Sequence, residues 1–419
     1  MKVSKRKLIY GSLFILILYV NIISQYIHFF GYLDEIIAII SCLYVLTHLK
    51  KIDKDLSIML AIMGVMTMIA LGGNIVFKYQ DYSIAILKDI FAFYKFPLTF
   101  IALYTWSRNK DFNDAHDAAV KISKISTIVM FAGCVISIFA DIGLSYGVRY
   151  GFRTYKFLFS HPTYLVYAFV LISTVLVSDQ EKHTNKRKKY FIFQVMILFC
   201  ILFSFRDKGF GYIALFLVIM VLLPRKKKVK IRYFIFAGVI ALMVSYQKLL
   251  EYRSWSWSPR NALYMNGIQL ALRVFPWGSG FATFNSFLSG EYYSKAYKLF
   301  GLERKPGLSP IDYVDVGDAQ LPYYYTQFGL IGFILFIIVL YLLVKRVKKI
   351  YQGRILVLKS AYLLMGYMVI GALVEAVFTN ETGVTSVVVL LIYLNCSKEH
   401  LHQVRKGKYE CIGQNKTKI

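Results

Sequence analysis

The residues in this chain with chemistry to offer are cations placed where apolar sequence should exclude them. Arg149, Arg153 and Lys156 sit in YGVRYGFRTYKFLFSHPTYL (Tyr146 to Leu165), just ahead of His161-Pro162. Arg206, with Asp207 and Lys208, breaks a second apolar stretch at SFRDKGFG (Ser204 to Gly211). Arg260 leads a third, SPRNALYMNGIQLALRVFPWGSGFATFNSF (Ser258 to Phe287). A guanidinium presents a planar fork of donors that matches phosphate oxygens, so arginines recurring in this way suit a phosphate or pyrophosphate. Lys88 and Lys95 add cations inside IAILKDIFAFYKF (Ile84 to Phe96) and share a helical face with Ala92. A charge at mid-bilayer costs about 2.5–3.5 kcal/mol, so it faces a polar cavity or a partner. The lysines are therefore read as a basic cavity wall, with snorkelling of Lys88 and an Asp89–Lys95 pair as the alternatives. Asp312, Asp315 and Asp318 recur at a step of three in DYVDVGDAQLPYYYTQFGLIG (Asp312 to Gly332), fit either for a cation or for water.

The elements that must position these residues are membrane helices. Of 419 residues, 57% are hydrophobic and only 17% charged, against about 25% charged in a soluble domain. Apolar runs of the length that a ~30 Å hydrocarbon core demands recur along the chain. They fall near 8–27, 31–48, 56–73, 84–106, 123–146, 160–178, 190–205, 209–223, 233–248, 322–344, 355–378 and 383–396. The expected fold is an all-α polytopic membrane protein of about 12 transmembrane helices with one large extracytoplasmic loop. Residues 1–248 form a transmembrane bundle of about nine helices, 249–321 the outer loop, 322–396 about three C-terminal helices, and 397–419 a cytoplasmic tail. The basic start (Lys2, Lys5, Arg6, Lys7) precedes an apolar run without a convincing small-residue cleavage site, so that run is expected to stay as a span. Within the loop, apolar residues at helical spacing (Tyr264, Ile268, Ala271, Leu272, Phe275) predict a helix along the membrane surface, started by Pro259 and stopped at Pro276. Aromatics follow (Phe281, Phe284, Tyr292, Tyr293, Tyr297, Phe300), able to stack on sugar rings or to form an interfacial belt.

Several function classes drop out. The formal net charge of +27 would suit nucleic acid, but its clusters (KKIDK, KHTNKRKK, PRKKKVKIR, KRVKK and the tail) alternate with nearly uncharged short loops. That is the positive-inside pattern, with both termini cytoplasmic, and no nucleic-acid partner is expected. Five cysteines fall in spans, at a span end or in the tail, so no disulfide framework supports the loop. Asp53-Lys54-Asp55 matches a metal-holding DxD but sits among lysines with no nucleotide-binding fold around it. Gly278-Ser279-Gly280 lacks the third glycine and preceding strand of a dinucleotide loop. No metal and no cofactor are expected.

Taken in order, these motifs resemble the bacterial O-antigen polymerase and ligase superfamily. The resemblance rests on the hydropathy plan, on Arg153 with His161-Pro162, and on Ser204-Phe205-Arg206. It continues through Arg260, Gly267 and Pro276-x-Gly278-x-Gly280-Phe281 to Gln327-x-Gly329-x-x-Gly332. Family members commonly carry a His-Asn pair before that last return. Asp318-Ala319-Gln320 stands there instead, which is closer to a capsule or exopolysaccharide polymerase than to a ligase. The resemblance implies an enzyme of the bacterial plasma membrane that joins glycans carried on undecaprenyl pyrophosphate at the outer leaflet. On that expectation Arg153, Arg206 and Arg260 would stabilise the leaving diphosphate; the catalytic candidates are Arg260, Asp318 and His161, and those for pyrophosphate and glycan are Arg153, Arg206, Arg149, Lys88, Lys95, Tyr292 and Tyr293. Asp318 would orient or deprotonate the acceptor hydroxyl, with His161 second. Implied partners are the lipid-linked oligosaccharide, membrane lipid, and a chain-length regulator and flippase of the same pathway. A ligase-like transferase and a lipid-linked oligosaccharide flippase stay open as alternatives, the latter disfavoured because no paired interrupted helices occur in corresponding halves.

Overall fold

The computed structural model describes residues 5–108, 110–222, 258–350 and 354–395. The predicted span 233–248, the basic run 224–232, residues 249–257 with Arg253, Trp255 and Trp257, and the tail with Cys396 and Cys411 lie outside the described residues. The described chain is mostly helical, and seven of its helices are long and apolar enough to cross a membrane. They are α1 (Lys5–Tyr26), the run His28–Thr47 that ends in α2 (Leu33–Thr47), α3 (Lys54–Phe77), α5 (Asn113–Phe139), α6 (Pro162–Asp179), α11 (Gly329–Ile350) and α12 (Ile355–Ala372). The charged α4 (Ser83–Ser107), α7 (Arg187–Phe203), α8 (Asp207–Leu217) and α13 (Glu381–Asn395) complete the bundle, with α9 (Pro259–Arg273) and the short α10 (Gln320–Gln327) beyond it.

Helix α6 is the hub. In its apolar window 89% of residues are buried, against 22–33% for α1, α2, α3, α5 and α11, which keep wide faces for lipid. With no lipid face to satisfy, α6 carries hydroxyls inward: Tyr167 Oη lies 2.6 Å from Thr385 Oγ1 and 3.0 Å from Ser386 Oγ of α13. Pro162 occupies its first turn, where the missing N–H costs nothing, and the His161 side chain caps it.

Three boundaries differ from the sequence reading, each for a local reason. The predicted span 123–146 is a helix ten residues earlier, because the polar segment NDAHDAAVK is helical and buries Ala115, His116 and Ala119. The following residues form a hairpin rather than a loop, with β1 (Ser145–Arg149) antiparallel to β2 (Phe152–Tyr155). Its two-residue turn, Tyr150-Gly151, has both φ values positive (53° and 80°), the conformation that matches strand twist. The predicted span 322–344 is split at Phe328-Gly329, where Gly329 takes φ +66°. The turn between spans seven and eight falls at Ser204–Arg206, as expected.

The segment expected as the outer loop, and named the outer body below, has a packed core of its own. Leu263, Leu270, Val274, Phe284, Ala296, Tyr297, Leu302, Leu308 and Val316 form that core. Residues Ser279 to Ser286, which include the presumed sugar-stacking Phe281 and Phe284, are buried against the bundle. Their irregular backbone is held by side chains of the membrane helices. Asn74 brackets Phe281, accepting from its N–H (2.8 Å) and donating to its carbonyl (2.9 Å). Gln80 donates to Ala282 O (2.8 Å), and Asp89 accepts from Ala282 N (2.6 Å). Phe284 O accepts from Gln327 Nε2 (2.9 Å).

The glycines of this elbow are packing residues. A Cβ on Gly73 would lie 2.8 Å from Gly280 N, and one on Gly278 would enter the Gln327 carbonyl. Gly278→Ala should therefore lower the thermal midpoint of the detergent-purified protein, at a cost of about 1–3 kcal/mol or more. Gly64→Ala, where nothing lies within 4 Å of the added carbon, should be neutral or slightly stabilising.

Candidate functional site

At the end of the bundle that carries this outer body lies a cavity of about 940 Å³. That is near the upper end of the roughly 300–1,000 Å³ usual for ligand sites. Five of the sequence-predicted residues line it: Arg149, His161, Arg206, Arg260 and Asp318. They arrive from four separate stretches of chain, and the fold explains how.

The hairpin tip clasps the α7–α8 turn. Phe205 has its ring 6.0 Å from those of both Tyr150 and Phe152, and Arg149 Nη1 donates to Phe205 O (3.3 Å). Arg149 is thereby set beside Arg206, the N-cap residue of α8. Tyr146, from the same hairpin, orders two more groups. Its ring lies 5.4 Å from the Arg206 guanidinium carbon and meets His161 edge-on at 4.8 Å. Arg206 Nε is buried with no hydrogen-bond partner among the described residues. A buried cationic donor without a protein acceptor is poised for an anion.

His161 lies one residue outside the α6 span, and its Nδ1 accepts from Thr163 N (3.3 Å). That bond assigns the remaining ring proton to Nε2, so the neutral imidazole is a donor there. Burial, together with Arg206, Lys208 and Arg149, pushes its pKa down to about 4. At neutral pH His161 is thus an uncharged hydrogen-bond donor, poorly suited to act as the base.

Asp318 faces this cationic wall from the outer body. Its Oδ2 pairs with Arg260 Nη2 at 3.0 Å, and its carbonyl accepts from Arg260 Nε (3.3 Å). Burial holds its carboxyl above the ordinary range, with Arg260 opposing and Asp315 adding to the rise. A carboxylate with raised basicity at a cavity wall has the character of a proton acceptor. Arg260 is consequently tied to the acid rather than grouped with Arg149 and Arg206. The three aspartates do not form one ligand set: Asp312 and Asp315 meet at Gly307, whose N–H donates to Asp312 (2.8 Å), while Asp318 takes Arg260. No cluster of three or more His, Cys, Asp or Glu suited to a metal occurs among the described residues.

The other predicted residues are not in the cavity lining. Arg153 and Arg149 project from opposite faces of the ribbon, because strand side chains alternate: Arg149 pairs with Phe152 and Arg153 with Val148. Lys95 is buried and spent on Asp34 (2.9 Å) and Glu35 of α2. Lys88 reaches the surface, donating to Tyr292 Oη (2.9 Å) beside Glu291 (3.8 Å). It fastens the outer body to α4, which also occupies Tyr292. Tyr293 donates to Leu308 O (2.9 Å) inside the outer core. Of the predicted basic wall on α4, it is Asp89 and Ala92 that line the cavity. Asp53 of the DxD is taken by Arg108 (2.6 Å) and Arg346 at the opposite end of the bundle.

Sequence reasoning missed Glu375, which lines the cavity and pairs with Lys208 while Asn380 donates to it (3.3 Å). The signal was present: a lone acid inside the apolar run ALVEAVF calls for a polar partner. Also missed was Phe287, an exposed ring on the cavity wall that no spacing rule singles out. Comparison with protein-family models, curated proteins and solved structures yields no match.

The neutral state of His161 has a measurable consequence. Its ordinary value of 6.5 applies when unfolded and about 4 when folded, so the unfolded chain takes up a proton first as pH falls. The His161 contribution to stability should therefore fall between about 6.5 and 4, read from thermal midpoints against a variant without the imidazole. His161→Asn, which keeps an N-capping oxygen, should flatten that slope.

Proposed function

We propose that this protein is a membrane-embedded glycan polymerase. It transfers a growing glycan from undecaprenyl pyrophosphate to an incoming lipid-linked repeat unit. The observation that carries the reading is the meeting of Arg149, Arg206, neutral His161 and the Arg260–Asp318 pair in one large cavity at one end of an apolar bundle. The finer architecture belongs to the same reading: about twelve spans, both termini cytoplasmic, and the cavity facing the outer leaflet of a bacterial plasma membrane. The opposite end favours that orientation, since it carries Lys50, Lys51, Lys54, Lys186, Arg187, Lys188, Lys189, Lys348 and Lys349.

The chemistry follows from the two walls. The acceptor hydroxyl oxygen attacks the anomeric carbon of the growing chain. A carbon–oxygen bond forms there as the bond to the pyrophosphate oxygen breaks, and the electron pair departs on the lipid pyrophosphate. Arg149 and Arg206 receive that developing charge, with His161 Nε2–H as a further donor. The hydroxyl proton passes to Asp318, whose carboxylate Arg260 orients. The donor is already activated, so the protein's contribution is positioning and charge stabilisation. A chain-length regulator and a flippase of the same pathway are the partners this reading implies.

Deleting the gene tests the reading, with lipid-linked and surface glycans followed by gel and mass spectrometry. Single repeat units without polymer are expected. Full-length polymer stranded on the lipid carrier would instead indicate a ligase, and single units trapped on the cytoplasmic leaflet a transporter. In a complemented strain, Arg206→Ala should cut polymer formation by at least ~100-fold at normal protein level. Arg153→Ala, on the far face of the hairpin, should cost at least ten times less.

A further inference from the structure

One wall of the cavity differs in character from the rest. Phe287, Leu288 and Val314 line it, and two of these side chains are conspicuously open, Phe287 at 61% and Val314 at 77% exposure. They share the lining with Asp315 and Asp318 of the same body. Large apolar side chains displayed inside a charged cavity need an occupant with an apolar face.

The frame that displays them is rigid. Ser286 and Ser289 form a reciprocal capping box at the start of the short helix Phe287–Glu291. Asn285 ties this frame to the facing segment, accepting from Gly317 N (3.0 Å) and donating to Ala319 O. Phe287 meets Tyr313 edge-on at 5.9 Å, and a Cβ on Gly290 would already touch the Tyr313 ring at 3.0 Å. These ties hold the two segments together, with Phe287 and Val314 exposed on them.

Resting on the polymerase reading, we infer that this wall is the acceptor-sugar subsite, and that it selects a neutral sugar bearing a methyl group, a 6-deoxyhexose or an N-acetylhexosamine, over a uronic acid. A sugar has a C–H face for Phe287 and Val314 and hydroxyls for Asp315 and Asp318. A hydrocarbon chain would cover those carboxylates without bonding them. A carboxylated sugar would meet two carboxylates, while of the cations that line the cavity Arg260 pairs with Asp318, Lys208 pairs with Glu375, and Arg149 and Arg206 are taken by the pyrophosphate in this reading. A methyl or acetyl group supplies the extra apolar area that the open Phe287 ring calls for.

Saturation-transfer NMR on the full chain in lipid nanodiscs tests this, using the methyl glycosides of a 6-deoxyhexose, an N-acetylhexosamine and a uronic acid as probes. The first two should saturate through their methyl protons, and the uronide should not. Phe287→Ser should weaken that binding by roughly three- to tenfold, while Phe287→Trp retains it. Asp315→Asn should admit the uronide. Equal saturation by the uronide in the wild type, or unchanged 6-deoxyhexose binding in a folded Phe287→Ser protein, would overturn the inference. Inorganic pyrophosphate, titrated in parallel against wild type and Arg206→Ala, separates the two readings. If pyrophosphate binds and the sugar pattern fails, the sugar subsite falls alone. If the sugar pattern holds without pyrophosphate binding, the subsite stands and the transfer reaction is wrong.

Discussion

An irregular backbone packed against membrane helices must find a partner for every amide, because lipid supplies none. The stretch from Ser279 to Ser286 meets that demand through Asn74, Gln80, Asp89 and Gln327, side chains that lie on or just after α3, on α4 and on α10. The close backbone approach at Gly73, Gly278 and Gly280 exists to make those bonds reachable. Everything on the cavity's acidic side hangs from this anchor. Asn285 follows it directly and fixes Gly317 and Ala319, hence Asp318 between them. Asp318 in turn fixes Arg260 and the start of α9.

Against that anchored wall the hairpin and the α7–α8 turn supply the cations, and three other buried cations are already matched. Lys95 has Asp34 and Glu35, Lys208 has Glu375, and Arg346 has Asp53. Breaking such a buried pair leaves one charge uncompensated, so these groups serve cohesion. Arg206 differs in having no carboxylate partner among the described residues, and its Nε is buried without an acceptor there. The division between spent and available charge gives the cavity its polarity, cationic on one side and acidic on the other.

Much of this was legible in the sequence, and the misses share a cause. Hydropathy marks spans because the bilayer imposes a length, and the SFRDKGFG turn was readable because no single helix could be that long. The arginines of the cavity were readable because they interrupt apolar sequence, where a cation needs a polar partner. Partner choice was not readable. Whether Lys95 faces a cavity or Glu35, and whether Arg149 or Arg153 turns inward, depends on helix rotation and strand register that one chain's composition does not encode. Phe281 and Phe284 have the residue types of a sugar platform yet are core, while Phe287 is exposed. A residue type states what a side chain could do, and only the packing says which ones are presented. The GSG elbow shows the same ambiguity: its glycines have the look of a binding loop but act by letting two backbones touch.

The most direct test of the account is a single-turnover reaction with the purified chain in proteoliposomes that contain only undecaprenyl-pyrophosphate-linked repeat units. The account predicts lipid-linked dimers and longer oligomers by mass spectrometry, each new glycosidic bond matched by one released undecaprenyl pyrophosphate. Repeat units that move between leaflets without any new bond, or that remain monomeric with active, folded protein present, would contradict it.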